Sequence, residues 1–235
     1  VDVAFSNAGN VVVRNGMVEF ARGFVNAGTI DLGVDTTSGI RAGSGGALGN
    51  GATGAVIGSG TIDVADSGRA FVNDGRIAPG HSPGAIDIVG DFVQGDAGLL
   101  AIEIGGARPG QDFDVLNVSG TATLGGGVQL ALLRGFVPSA GGSFDVVNST
   151  ALVGDFARLQ LPSGQVLKGV PLASVYQFSA ESLLGPPTAV TAEGIDQVLV
   201  IPGAGVAQPL GSVVIEGSLG EPVIAFIPRR RAKCN

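Results

Sequence analysis

Tryptophan is absent, and the 235 residues include one cysteine, one histidine, one tyrosine and one methionine. Each shortage excludes a class of function. A lone Cys234 cannot build an internal disulfide framework. One Cys and one His cannot supply zinc-ligand spacing. No glycine run is followed by the Gly-Lys-Ser/Thr of a phosphate-binding loop. Charged residues make up only 14%, and the mean hydropathy is +0.43, the opposite of a disordered chain. Long apolar runs are missing too. A helix that spans a bilayer needs ~18 to 20 apolar residues, whereas Val198 to Ile201 and Val223 to Ile227 are of strand length.

What is present is glycine, at 41 positions, and a 45% share of hydrophobic residues with few aromatics. Glycine shows no Gly-X-Y period, so collagen is excluded. Val, Ile, Leu and Ala are interrupted by Gly, Asn, Asp and Ser, the texture of many short strands joined by tight turns. The net charge is −7. Arg229, Arg230, Arg231 and Lys233 cluster at the end, so residues 1–228 hold 9 of the 13 basic groups against all 20 acidic ones, a net of −11. An acidic body argues against nucleic-acid binding. The basic tail reads as a solvated terminus, or as a dock for the acidic body of a neighbouring subunit.

Repeats come next. The segment FSNAGNVVV, Phe5 to Val13, recurs as FVNAGTIDL from Phe24 and as FVNDGRIAP from Phe71, with a shorter echo, GSGTIDV, from Gly58. In each, an apolar residue points inward, Asn-x-Gly turns the chain, and the next strand alternates out and in. A single such strand cannot bury its apolar side, but stacked rungs ~4.8 Å apart can. Asn at one corner of successive rungs is placed to form an amide ladder. Gly33 to Gly60, rich in Gly, Ser, Ala and Thr, is expected to form thin rungs with small inward side chains. Phe144 to Phe178 continues the short strands, and only Ser179 to Leu184 has room for one helical turn. Pro186-Pro187 marks a break.

The stretch from Arg76 to Phe136 resembles the passenger regions of bacterial autotransporters and related surface adhesins. The resemblance rests on Pro79-Gly80-His81-Ser82-Pro83-Gly84, on Glu103-Ile104-Gly105-Gly106, on Phe113-Asp114-Val115-Leu116-Asn117-Val118-Ser119-Gly120, on Leu124-Gly125-Gly126, and downstream on Gly154-Asp155-Phe156 with Leu161-Pro162. It covers roughly residues 1 to 178, and implies a right-handed parallel β-helix displayed outside a bacterial cell. Autotransporters end in a membrane β-barrel, which these residues do not supply. The expectation is therefore a released fragment, a secreted relative or an assembly subunit with a processed start at Val1.

Catalytic chemistry has little to stand on. Any Ser-His-Asp device must use His81, which lies in a turn and reads as a turn cap. Asp112 and Asp114, two apart, would face one side of a strand and with Gln111 and Glu103 offer oxygens to calcium. The preferred reading is that they are solvated corner residues. Asp31, Asp63 and Asp87 each follow Ile and alternate outward as surface solubilisers. The sequence thus assigns no cofactor and no metal.

The expected fold is all-β: a right-handed parallel β-helix over residues 1–185, with an irregular C-terminal extension of strands and basic tail over 186–235. The expected function is an extracellular structural protein that self-assembles into a filament or surface layer. It would do so by solenoid stacking and by strand addition through Val213, Val214, Ile215, Val223, Ile224, Phe226 and Ile227, with Arg229, Arg230 and Arg231 as charged contacts. The partner would be a second copy in a homo-oligomer or head-to-tail polymer. The alternative is a passenger-type adhesin fragment that touches cells or matrix, and a glycan-processing β-helix enzyme stands a distant third.

Overall fold

The computed structural model describes residues 5–163 and 166–181, together with the strands Ser212–Glu216 and Pro222–Phe226. The chain divides into two units, Val1–Glu181 and Ser182–Asn235.

The first unit is all-β and solenoid-like, with no α-helix among the described residues. Short strands, the first four of them apolar-x-Asn, build a seven-stranded sheet in the order Phe5–Asn7, Phe24–Asn26, Leu48–Asn50, Phe71–Asn73, Phe92–Gln94, Thr121–Leu124 and Ala151–Gly154. Every pairing in it is parallel and in register. Residues one repeat apart therefore sit directly over each other, Phe5 on Phe24 and Phe71 on Phe92.

A larger, thirteen-stranded sheet forms the remaining two sides. On one side Val11, Ile30, Val56, Ile77, Leu100, Val128 and Leu159 stack in a column. On the other, Val18, Ile40, Ile62, Ile88 and Val118 do the same. Two strands, Thr29–Ala42 and Ala55–Asp63, run across the corner between these sides. Gly33 and Gly58 make that bend at φ +84° and +93°, and a Cβ on Gly58 would lie 2.6 Å from the Gly33 carbonyl oxygen. Inward in residues 33–60 are the small Ser38 and Ala42, both fully buried, beside the larger Ile40, Leu48 and Val56. The expected small inward side chains are present, and mid-sized aliphatics share the core with them. The excess small residues go into corners and into the exposed bulge around Val34 and Asp35.

At the corner that follows the seven-stranded sheet, the Asn side chains turn inward and bond along the stack. Asn7 Nδ2 donates to Asn26 Oδ1 at 2.8 Å, Asn26 to Asn50 at 2.8 Å, Asn50 to Asn73 at 2.7 Å, and Asn73 to Gln94 Oε1 at 2.8 Å. Asn26, Asn50, Asn73 and Gln94 are buried to 2% exposure or less. The second amide proton of Asn7, Asn26 and Asn50 goes to corner carbonyls, such as Gly28 and Ala55 for Asn26. Five amides are therefore sunk in the body with their hydrogen bonds made, which is the condition for burying them at all. A second, outward ladder links Asn148 to Asn117 at 3.0 Å and Asn117 to Asp87 at 2.8 Å. Asp87 is thus half-buried and bonded rather than a free solubiliser.

The stack ends differently from the expected run of parallel rungs. Ser143–Asn148 pairs parallel with Val115–Val118 on one edge, but antiparallel with Val175–Ala180 on the other. Val175–Ala180 in turn pairs antiparallel with Leu167–Pro171. This hairpin lays the fully buried Tyr176 and Phe178 over the end of the core, and Tyr176 meets Phe156 edge-on at 4.7 Å. A repeat stack needs such a cap, because its last rung otherwise leaves an apolar column open. Ser179 and Ala180, expected in a helical turn, belong to this strand; residues 182–184 lie outside the described residues.

The second unit's described residues are an antiparallel pair, Ser212–Glu216 with Pro222–Phe226. No helix among the described residues is long and apolar enough to cross a membrane.

Replacing Asn50 by Ala removes the acceptor of Asn26 and the donor of Asn73 in one step. The expected loss is about 2–3 kcal/mol of stability, because buried polar atoms are stranded. Val25→Ala, on the exposed face, should shift stability by less than about 0.5 kcal/mol. Urea denaturation of the two variants checks this ordering.

Candidate functional site

Titratable groups converge at one place on the described surface, around the turn from Pro79 to Gly84. The turn leaves the strand Arg76–Pro79 through Gly80, at φ +76°, and passes Ser82, at φ +85°. It is pinned to the neighbouring rung by paired backbone bonds between Gly58 and Gly80, at 2.7 and 3.2 Å. Beneath it, the outward positions of two successive rungs are Ala78 and Ala101. Two small side chains where larger ones could stand leave a cleft of about 210 Å³, rimmed by Arg76, His81 and Glu103.

His81, read from the sequence as a turn cap, makes its side-chain contact with an earlier rung. Its Nε2 lies 3.2 Å from Asp31 Oδ1, and the same oxygen accepts the Gly33 N–H at 2.9 Å. Asp31 is therefore more than a surface solubiliser, since it ties a corner of an earlier rung to this turn. Asp63 likewise has a partner, Arg41 Nε at 2.9 Å. No hydrogen bond joins His81 to the adjacent Ser82 among the described residues.

The two aspartates expected to share a strand face are parted. Asp112 stays outside, where Arg108 Nε and Nη2 each donate to it at 2.8 Å. Those bonds pull its carboxyl down to about 2. Asp114 turns in and is only 1% exposed, which corrects its reading as a solvated corner residue. Its Oδ1 accepts the Gly84 N–H and its Oδ2 the Glu103 N–H, both at 2.8 Å. The backbone closes the same junction: Asp114 N–H donates to Glu103 O at 2.9 Å, and Val115 N–H to Gly84 O at 3.0 Å. Desolvation raises the Asp114 carboxyl to about 7. The two N–H bonds and the Arg76 charge oppose that rise, and the Glu103 charge adds to it.

The oxygens of Asp112 and Asp114 thus serve different purposes, and no group of three or more His, Cys, Asp or Glu among the described residues could hold a metal ion. A scan against protein-family models and a search of curated proteins find no match to the chain.

The expected assembly residues fall in two groups. Val213, Val214 and Ile215 lie on one strand of the C-terminal pair, in register with Ala225, Ile224 and Val223 of the other, which also carries Phe226. Ile227, Arg229, Arg230 and Arg231 lie outside the described residues, as does Cys234. Sequence reasoning did not find a second surface feature, on the outside of the seven-stranded sheet. There Val25, Val72 and Val153 stand 54%, 38% and 53% exposed, and Gly49 leaves a notch between the first two beside Arg69. The signal was available, since the middle residue of each apolar-x-amide triplet must face out.

Asp114→Ala is expected to cost about 1–3 kcal/mol when measured near pH 5, where the native carboxyl is neutral and its loss strands two buried N–H groups. His81→Ala, which loses one contact at a 41% exposed side chain, should change stability by less than about 0.5 kcal/mol. Equal effects for the two would mean that Asp114 does not hold the junction.

Proposed function

We propose that the chain is a secreted or surface-displayed bacterial structural protein whose body is a right-handed parallel β-helix, and that it works by making contacts rather than by catalysis. The resemblance of Arg76 to Phe136 to autotransporter passengers supports the handedness and the extracellular setting. The polar groups of the body are spent on holding rungs together: five amides in one ladder, Asp114 in a backbone junction, Asp31 on a turn. On this reading the His81 cleft is structural.

We propose further that copies assemble through the C-terminal strands. The observation that carries this is the two-stranded sheet of Ser212–Glu216 and Pro222–Phe226. Two strands alone are marginal in water, and among the described residues each has an outer edge with no strand paired to it, on which another strand can add. End-to-end stacking of solenoids is less favoured, because the hairpin Leu167–Pro171 with Val175–Ala180 lies over part of the last rung. A passenger-type adhesin is the second reading, favoured by the exposed valines and the Gly49 notch on the seven-stranded sheet. Such a row is a ready contact for an apolar partner surface.

Electron microscopy and sedimentation of the full chain, beside a chain ended at Glu181, separate the readings. Filaments or higher oligomers that vanish in the shortened chain are the expected result. Isolated rods from both chains would overturn assembly through the tail and leave the adhesin reading.

A further inference from the structure

Two asparagines in the chain stand directly before glycine, as Asn15-Gly16 and Asn50-Gly51. The pairing matters chemically. Glycine has no side chain to screen its backbone nitrogen, so that nitrogen can approach the carboxamide carbon of the residue before it and close a succinimide ring. The two pairs sit in opposite surroundings.

Asn50 belongs to the buried ladder. Its Oδ1 accepts a bond from Asn26 at 2.8 Å, and its Nδ2 donates to Asn73 Oδ1 at 2.7 Å and to the carbonyls of Gly54 and Arg76 at 3.3 and 3.1 Å. The Gly51 N–H, whose nitrogen would have to attack, donates to Asn26 O at 2.7 Å. Asn50 is only 1% exposed, so water is kept from it as well. Ring closure there requires these bonds to break together. Asn15 is under no such restraint. It is exposed, in the corner between the strands Asn10–Val12 and Gly16–Phe20. Its side chain makes no hydrogen bond among the described residues. Gly16 has a φ of +82°, and a Cβ placed on it would meet nothing within 4 Å, so the backbone at this corner lies open.

We propose that Asn15 is a self-modification site, where the Asn15-Gly16 link converts through a succinimide into aspartyl and isoaspartyl forms, while the ladder shields Asn50 from the same reaction. The Gly16 backbone nitrogen loses its proton to solvent base and bonds to Asn15 Cγ. The Cγ–Nδ2 bond breaks, and Nδ2 takes up a proton and leaves as ammonia. Water then opens the ring. Addition at Cγ yields aspartate, whereas addition at the Asn15 main-chain carbonyl carbon yields isoaspartate, with the chain running on through Cγ. No oxidant or reductant takes part. Either product adds a negative charge to a body that is already acidic. Isoaspartate also lengthens the main chain just before Gly16, which is paired with Ser38 where the strand joins Thr29–Ala42. The reaction therefore alters the first rung and leaves the ladder intact. It does not depend on how copies assemble.

Incubation of the intact chain in warm, mildly alkaline buffer, followed by peptide mass spectrometry, tests this. The peptide carrying Asn15 should convert to a mixture of aspartyl and isoaspartyl species. The peptide carrying Asn50 should react at least about a hundredfold more slowly, because it must wait for the rungs to separate. In urea strong enough to unfold the body, the two sites should react at similar rates, since both then have the same glycine neighbour and no shield. Asn15→Gln, whose longer side chain would have to close a larger ring, should leave this link unmodified in the folded chain. Equal rates at Asn15 and Asn50 in the folded chain overturn the proposal. So does an Asn15 that stays intact over the time in which the unfolded chain reacts fully, or one that yields aspartate without isoaspartate, the mark of direct hydrolysis.

Discussion

The structure depends on hydrogen bonds that run along the stack rather than within a rung. Each short strand has its bonding partners above and below, so no strand of three or four residues could persist alone. The backbone supplies part of this lengthwise bonding through in-register parallel pairs. The buried amide ladder supplies the rest, at the corner where the backbone turns and regular pairing stops. An unpaired amide in that interior would cost more than its bond returns. This explains why the repeat needs Asn, with both a donor and an acceptor on one short side chain, and why Gln can take the place at position 94.

That constraint fixes much else. In-register stacking puts like over like, so apolar columns close the core and the glycine corners superimpose. At Gly28, a Cβ would lie 2.1 Å from the Gly9 carbonyl oxygen of the rung beside it. Loops between rungs can vary, and successive ladder amides are separated by 19, 24, 23 and 21 residues. Variation of this kind costs the stack little, because a loop that leaves and re-enters at the same corner changes no pairing.

The sequence made the stack legible where the triplet Phe-Val-Asn or its near copies recur, since apolar-x-amide followed by Gly encodes an inward residue, an outward residue and a ladder position together. Leu48-Gly49-Asn50 and Phe92-Val93-Gln94 carry the same code in altered letters and were harder to see. Three features could not be read. The alternation of Val175–Ala180 is the same for parallel and antiparallel partners, so the cap is decided by where the hairpin folds back. Asp112 and Asp114 look equivalent at a spacing of two, yet the chain enters the strand only at Val115. Asp114 is drawn inward by an N–H group 30 residues away. The cleft exists because Ala78 and Ala101, distant in sequence, become neighbours on one face. Each of these is set by tertiary contact and leaves no local pattern.

The most direct measure of the stacking claim is hydrogen exchange at the side-chain amides of Asn26, Asn50 and Asn73, followed by NMR. Amide protons held between rungs should exchange as slowly as the backbone amides of the strands beside them. Exchange at the rate of a free, hydrated carboxamide would contradict the ladder, and with it the lengthwise stacking on which the fold rests.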